Sequence, residues 1–236
     1  MSSDTIPYLY NPNFPYYIFY KLYYKRITQK ANLHKEIRKE YFRIEGDNLL
    51  KQFTSALNQS AIPYWLEFGT LLGYYREHDF IKHDCDLDFG AYLDDAEKVR
   101  KALSDFDFKR IMEFRASDGG LEECYKFGHT TLDVFYFRHE EDKLYCNSFS
   151  PCHHTIKDKF SRKKPCFVKK IYIPNNGFVS VEYKGCIVNV PRDIKQHLEW
   201  HYGKDFMTPN PMFDYKKEAK NIIYYKLSEV FGFSFS

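Results

Sequence analysis

The stretch His83-Asp84-Cys85-Asp86-Leu87-Asp88-Phe89-Gly90 places three aspartates two residues apart. In a β-strand, where successive side chains alternate between faces, this spacing sends Asp84, Asp86 and Asp88 to one side and Leu87 and Phe89 to the other. Three carboxylates on one face repel one another, and a divalent cation reverses the sign of that energy. Oxygen ligands without neighbouring thiolate or imidazole pairs suit Mg²⁺ or Mn²⁺ rather than zinc. The competing reading is an acidic, solvated edge strand. A further acid, Asp133 within Leu132-Asp133-Val134-Phe135, weighs against it, because the centre of an apolar strand rejects a charge unless it is paired or coordinated.

Upstream, Gly69-Thr70-Leu71-Leu72-Gly73 reads as a glycine turn entering a helix, where backbone N–H groups and the Thr70 hydroxyl could hold a phosphate. The same turn also serves as a plain strand-to-helix connection. Arg76 offers a guanidinium fork for phosphate oxygens, with a surface salt bridge to Glu77 or Asp79 as its plainer role. Gly69, Thr70, Arg76 and Lys82 are the candidate substrate-binding residues, and the aspartates of the 84–88 stretch with Asp133 are the candidate metal-binding ones.

Cys146, Cys152, His153, His154 and Cys166 form a softer set that could hold zinc, although the usual paired spacings are absent. Lys157, Lys159, Arg162, Lys163, Lys164, Lys169 and Lys170 make the same region basic. It reads equally as a receiver of an anionic donor or phosphorylated acceptor and as a solvated loop.

The elements that must position these residues follow from periodicity. Apolar positions from His34 to Ser60 recur at helical intervals, giving one long helix or two joined near Gly46. Ile62 to Phe68 reads as a short buried strand, Leu71 to Glu77 as a helix and Asp84 to Tyr92 as a strand. Asp94-Asp95 supplies an N-cap signal for a helix over Ala96 to Phe106. Residues 107–116, 121–127 and 131–138 read as strands of one antiparallel sheet. From Glu140 to Lys170 the pattern fades into an irregular insertion. A hairpin over Val179 to Val190, turned at Lys184-Gly185, and a helix from Asp193 to Tyr202 follow.

The chain has 236 residues, 44% of them hydrophobic, enough for one sizeable core. We expect an aromatic and basic N-terminal segment, 1–33, and one domain over 34–236 with the insertion near 140–170. A net charge of +3 from 35 basic and 32 acidic side chains does not mark a nucleic-acid binder. Six scattered cysteines and an N-terminus without the layout of a secretory signal predict reduced thiols and a cytoplasmic protein. No stretch approaches the length and apolarity of a membrane span. Phe14, Tyr16, Tyr17, Phe19, Tyr20, Tyr23 and Tyr24, interleaved with Lys21, Lys25 and Arg26, read as a helix packing aromatics on the core or as a peripheral contact with the inner face of a membrane.

Gly69-Thr70-Leu71-Leu72-Gly73-Tyr74-Tyr75-Arg76, then Phe80-Ile81, then Asp84-Cys85-Asp86-Leu87-Asp88 resembles the hallmark of the LicD/fukutin family. Leu132-Asp133-Val134-Phe135 looks like that family's third acidic strand. Val190-Pro191, His201-Tyr202-Gly203-Lys204-Asp205 and Pro209 look like its closing signature. The resemblance spans roughly Ile62 to Pro211, except for the poorly matched middle. It implies an α+β polymerase-β-like nucleotidyltransferase core with a mixed or antiparallel sheet flanked by helices. By it, Asp86 and Asp88 would hold the metal, and Asp133 would complete the triad as ligand or general base. Family members often carry an aspartate where Cys85 stands; on a strand that side chain points away from Asp86 and Asp88.

The activity implied is metal-dependent transfer of phosphocholine or an alditol phosphate from a cytidine-diphosphate donor such as CDP-choline, CDP-ribitol or CDP-glycerol. The implied acceptor is a sugar hydroxyl of an oligosaccharide or polysaccharide, as in lipopolysaccharide or capsule. Two other readings stand beside it: a true nucleotidyltransferase that places a nucleoside monophosphate on its acceptor, and a catalytically silent binding protein of the same fold.

Overall fold

The computed structural model describes residues 16–151, 163–210, 221–225 and 230–235. The first helix, α1, runs unbroken from Tyr16 to Gln59 and so begins well before His34. Phe42, Leu49, Leu50, Phe53 and Leu57 make its buried stripe, whereas Ile37, Tyr41 and Ile44 are exposed. Gly46 does not break it. A side chain there would press on the rings of Phe80 and Phe42, at 3.1 and 3.3 Å, so glycine lets α1 pass close to the loop after α2. This close packing offsets the roughly 1 kcal/mol that a helical glycine costs relative to alanine.

The chain then forms β1 (Tyr64–Leu66), α2 (Phe68–Glu77), β2 (Leu87–Tyr92), a 3-10 turn over Leu93–Asp95 and α3 (Ala96–Asp105). Five strands follow: β3 (Lys109–Ala116), β4 (Leu121–Phe127), β5 (Thr130–Glu140), β6 (Lys143–Pro151) and β7 (Lys163–Pro174). The hairpin β8 (Phe178–Tyr183) and β9 (Cys186–Pro191) leads to α4 (Ile194–Tyr202) and to β10 (Ile222–Tyr225) and β11 (Val230–Ser234). Lys184 and Gly185 both take positive φ, 50° and 74°, as a two-residue hairpin turn requires.

Among the described residues, nine strands form one mixed sheet, with β8 and β9 as a separate pair. β5 is its pivot: it runs parallel to β2 and antiparallel to β4 and β6. Because β6 pairs β7, β7 pairs β11 and β11 pairs β3, the pairings β3–β4–β5–β6–β7–β11 close into a ring. Alternation gives β2 and β5 two faces. Leu87, Phe89, Leu132, Val134 and Tyr136 join Phe53, Leu57, Val99 and Leu103 in the main core under α1 and α3. On the other face Trp65, Phe135, Phe137, Cys146, Ile171 and Ile173 form a second core, with Gly90 letting the Trp65 indole lie directly on β2.

The expected irregular insertion is instead largely strand: β6 and β7 pair from Lys143↔Pro174 to Pro151↔Cys166. Lysines at 163, 164, 169 and 170 and two prolines interrupt the alternation that would have marked β7. Cys152, His153, His154, Lys157, Lys159 and Arg162 lie outside the described residues, as do residues 1–15. Cys146 is a buried free thiol packed in the second core. No helix among the described residues is long and apolar enough to cross a membrane.

Candidate functional site

The parallel register of β2 and β5 sets Asp88 directly beside Asp133. Both point away from the main core, since their neighbours Leu87, Phe89, Leu132 and Val134 fill it. The strand begins only at Leu87, so Asp84 and Asp86 lie on the loop before it rather than on a continuing strand face. They converge all the same. A side chain on Gly69 would meet Asp84 Oδ2 at 2.9 Å and Asp88 Oδ2 at 3.5 Å, so both carboxylates close over the bare backbone at the start of α2.

That backbone differs from the expected turn. Helix α2 opens at Phe68, whose φ of 41° makes the sharp entry, and Glu67 is the N-cap. Gly69 is thus already helical, and its N–H bonds the Asp88 carboxylate. The Thr70 hydroxyl accepts the Asp88 N–H at 2.8 Å, and the Glu67 N–H donates to the Asp88 carbonyl at 3.1 Å. Residues 67–70 therefore hold Asp88 from both its backbone and its side chain.

The electrostatics of the cluster are those of uncompensated like charges. Burial, then Asp86, pushes Asp133 up to about 7. Burial, then Asp86 and Glu77, pushes Asp84 up to about 7 as well. Burial and the charges of Asp86, Asp133 and Asp84 raise Asp88 well above the carboxylate range. Glu122 on β4, buried on the same face, is likewise raised by burial and by Asp133. Cys124 faces Asp133 across the β4–β5 ladder and donates its S–H to that carboxylate. A set of oxygens that repel one another and lack enough protein cations is what a hard divalent ion requires, so Asp84, Asp86, Asp88 and Asp133 fit such an ion.

The cations nearby are few. Arg38 of α1 reaches Asp86 Oδ2 at 2.7 Å and the Thr131 hydroxyl at 3.0 Å. Arg76 pairs with Glu77 at 2.8 Å and donates to the Phe206 carbonyl at 3.3 Å, while Asp84 still feels its charge. Lys82 is exposed on the loop leading to Asp84. Tyr202 of α4 lies close enough for Asp88, Glu67 and Asp84 to add to the effect of its burial and raise its hydroxyl.

Sequence reasoning missed Arg38, which arrives from a helix far away in the chain, and Glu122, which sits in a strand pattern beside a second glutamate. It also missed the buried Glu67, whose Oε1 lies 2.8 Å from Nε2 of both His197 and His201; together the three could hold a metal ion. Glu67 inside the apolar run Tyr64-Trp65-Leu66-Glu67-Phe68, and two histidines four residues apart on α4, were the available signals.

Residues 61–193 match the LicD/FKTN/FKRP nucleotidyltransferase domain family. The chain belongs to that family. It is 26% identical over 183 residues to the human protein named ribitol-5-phosphate transferase FKTN, covering 77% of this chain and 37% of that one. The chain thus spans little more than a third of the length of this relative. An uncharacterised Rickettsia prowazekii protein, RP689, is 30% identical over 191 residues, covering 78% of this chain and 67% of the relative. A solved structure of the lincosamide antibiotic adenylyltransferase LnuA with lincomycin bound aligns with a TM-score of 0.39 at 14% identity, over 64% of this chain and 89% of that one. The LicD/FKTN/FKRP match begins just before β1 and ends at Asp193, so it contains every aspartate of the cluster. Arg38 and both α4 histidines lie outside it.

Proposed function

We propose that this LicD-family chain transfers an alditol phosphate or phosphocholine from a CDP-activated donor to a sugar hydroxyl, with Mg²⁺ or Mn²⁺ as cofactor. The observation that carries the reading is the side-by-side register of Asp88 and Asp133, with Asp84 and Asp86 closing on them from the preceding loop. The name of the human relative, a ribitol-5-phosphate transferase, favours ribitol phosphate among the transferred groups.

Asp86, Asp88 and Asp133 would hold the ion, with Asp84 at its edge. Such an ion, when bound, neutralises charge that develops on the diphosphate as cytidine monophosphate leaves. The chain's own residues do the rest. Gly69, Thr70 and Glu67 fix Asp88 in place. Arg38, half-exposed at the mouth of the cluster, can turn from Asp86 to donor phosphate oxygens, and a guanidinium binds these in a fork. Asp133 would serve as the third ligand or, where the ion does not take it, as the base that accepts the proton of the attacking hydroxyl. Arg76 would act on the donor only by exchanging its Glu77 pairing.

The test is product mass. Purified protein is incubated with CDP-ribitol, CDP-glycerol or CDP-choline, Mg²⁺ and an oligosaccharide acceptor, with chelator as control. The expected result is metal-dependent release of cytidine monophosphate and an acceptor heavier by the alditol phosphate or phosphocholine. An acceptor carrying a nucleoside monophosphate instead would replace this reading with true nucleotidyl transfer. Failure of every CDP donor to bind in Mg²⁺ would point to a silent binding protein.

A further inference from the structure

Behind the aspartates, where α4 packs against the β1–α2 junction, lies a second polar cluster with different chemistry. His197 and His201 are one helical turn apart, so their imidazoles project from the same face of α4. Both Nε2 atoms lie 2.8 Å from Glu67 Oε1 and 3.3 Å from each other. All three residues are at most 1% exposed. The other carboxylate oxygen of Glu67 accepts the Trp65 indole N–H at 2.6 Å, which fixes the orientation of the group.

Three donor atoms at these separations can be equidistant from an ion at about 2.0–2.1 Å, the ordinary bond length from zinc to imidazole nitrogen or carboxylate oxygen. Two imidazoles and one carboxylate are a borderline-soft set, suited to zinc and poorly suited to Mg²⁺, which prefers oxygens and keeps its waters. Three protein ligands leave a fourth tetrahedral position for water or an anion.

An outer partner of the kind such a site uses is present at His201, whereas His197 Nδ1 is buried without a hydrogen-bond partner. Asn221 Nδ2 lies 3.1 Å from His201 Nδ1 and 2.9 Å from the Tyr172 carbonyl, while Asn221 Oδ1 is buried without a hydrogen-bond partner. A half-turn of that amide offers its oxygen to a protonated Nδ1, at the expense of the Tyr172 bond. His201 Nε2 then presents its lone pair toward the Glu67 and His197 atoms, where an ion would sit, and the other ring nitrogen is anchored as in known metal-bound histidines.

We infer that Glu67, His197 and His201 form a zinc site, separate from the aspartate cluster, that pins α4 to the start of α2. Its place in the fold gives it a positioning role. Glu67 caps α2 and holds the Asp88 carbonyl through its N–H, and Thr70, three residues on, holds the Asp88 N–H.

The experiment is metal analysis of the full chain, expressed without a histidine tag and dialysed against zinc-free buffer containing Mg²⁺, followed by Co²⁺ substitution and visible spectroscopy. About one zinc per chain is expected, held by three protein ligands with the fourth position open. Zinc content should fall at least about tenfold in His197→Gln and in His201→Gln, the loss expected when a ligand is removed. It should persist in an Asp86→Asn/Asp88→Asn double variant and in a Cys152→Ser/Cys166→Ser double variant. The wild-type Co²⁺ spectrum needs no variant to fold, and should show tetrahedral bands without a thiolate charge-transfer band. Wild-type protein that holds no zinc and gives no Co²⁺ band would overturn the site, leaving a hydrogen-bonded cluster. A thiolate band, or zinc lost in the cysteine variant and kept in the histidine variants, would also overturn it.

Discussion

Glu122 and Glu123 are neighbours on β4, both buried, and face opposite sides of the sheet. Glu123 is surrounded by compensation. Its Oε1 accepts from Arg100 at 2.7 Å and Arg110 at 2.6 Å, and its Oε2 accepts the Tyr125 and Tyr136 hydroxyls at 2.7 and 2.8 Å. Glu113 shares the same guanidiniums. Burial works against its charge, but Arg115, Arg110 and Arg100 outweigh it and hold Glu113 below the usual carboxylate range. Glu122 faces the aspartates. The Phe149 N–H at 3.0 Å and the Lys169 charge do not outweigh burial and Asp133, so its carboxyl is raised. Where the chain supplies cations, buried carboxylates are held ionised; where it withholds them, the carboxyls hold protons unless a cation from outside replaces them.

Removing a carboxylate on each side separates the two regimes. Asp133→Asn should cut metal-dependent turnover by about three orders of magnitude, since it removes both an ion ligand and the candidate base. It should not lower the melting temperature of the metal-free protein, because it relieves repulsion with Asp86 and Asp88. A melting temperature several degrees below wild type in chelator would place Asp133 with the structural carboxylates instead. Glu123→Gln should do the reverse. Arg100 and Arg110 lose the more buried of their two shared partners, keeping Glu113, and breaking a buried pair in this way costs about 3 kcal/mol. That corresponds to a melting temperature lower by roughly 6–12 °C for a chain of this size. Its Mg²⁺ affinity at a temperature where it is folded should match wild type.

The pH dependence sharpens the comparison. Asp84 and Asp133 titrate near 7 in the folded chain, against 3.8 as the ordinary value. Between those limits the folded state keeps protons that the unfolded state releases. These groups therefore lower the stability of the metal-free protein as pH rises through that window, with the full penalty above about 7. An ion binding there displaces the protons. Mg²⁺ affinity should rise with pH up to about 7, by up to about tenfold per pH unit for each proton that Asp84 and Asp133 release. Titration calorimetry from pH 5.5 to 8.5 measures this, and a flat affinity would mean that the aspartates are already ionised.

How much of this could be read from sequence depends on where each contact comes from. The aspartate spacing, the Asp133 strand and the β8–β9 turn are local patterns, and the fold keeps all of them. The continuation of the acidic strand back to Asp84 failed because Asp84 and Asp86 serve a loop that folds onto Gly69. Alternation alone does not say where pairing stops. β6 and β7 were hidden because their lysines and prolines dilute the period-two pattern, and a strand paired on both sides need not be apolar throughout. Glu67 with His197 and His201 brings together residues 130 and 134 positions apart. No window of sequence displays such a meeting, although a lone glutamate in an apolar strand is the trace it leaves.

Arg38 is the finest test of the contrast between the two faces, because its guanidinium bonds an aspartate of the cluster directly. Its guanidinium is 47% exposed and bonds Asp86 and Thr131 without burial, so the pair itself contributes little to stability. If it turns to the donor phosphates once an ion occupies the carboxylates, Arg38→Ala should raise KM for the CDP donor by roughly five- to tenfold and leave kcat within about twofold. Arg38→Lys should recover only part of the loss, since an ammonium lacks the planar fork. Steady-state kinetics at saturating Mg²⁺ separate the outcomes. A fall in kcat at constant KM would mean that Arg38 acts in the transition state alone. No change in either constant would reduce it to a surface ion pair.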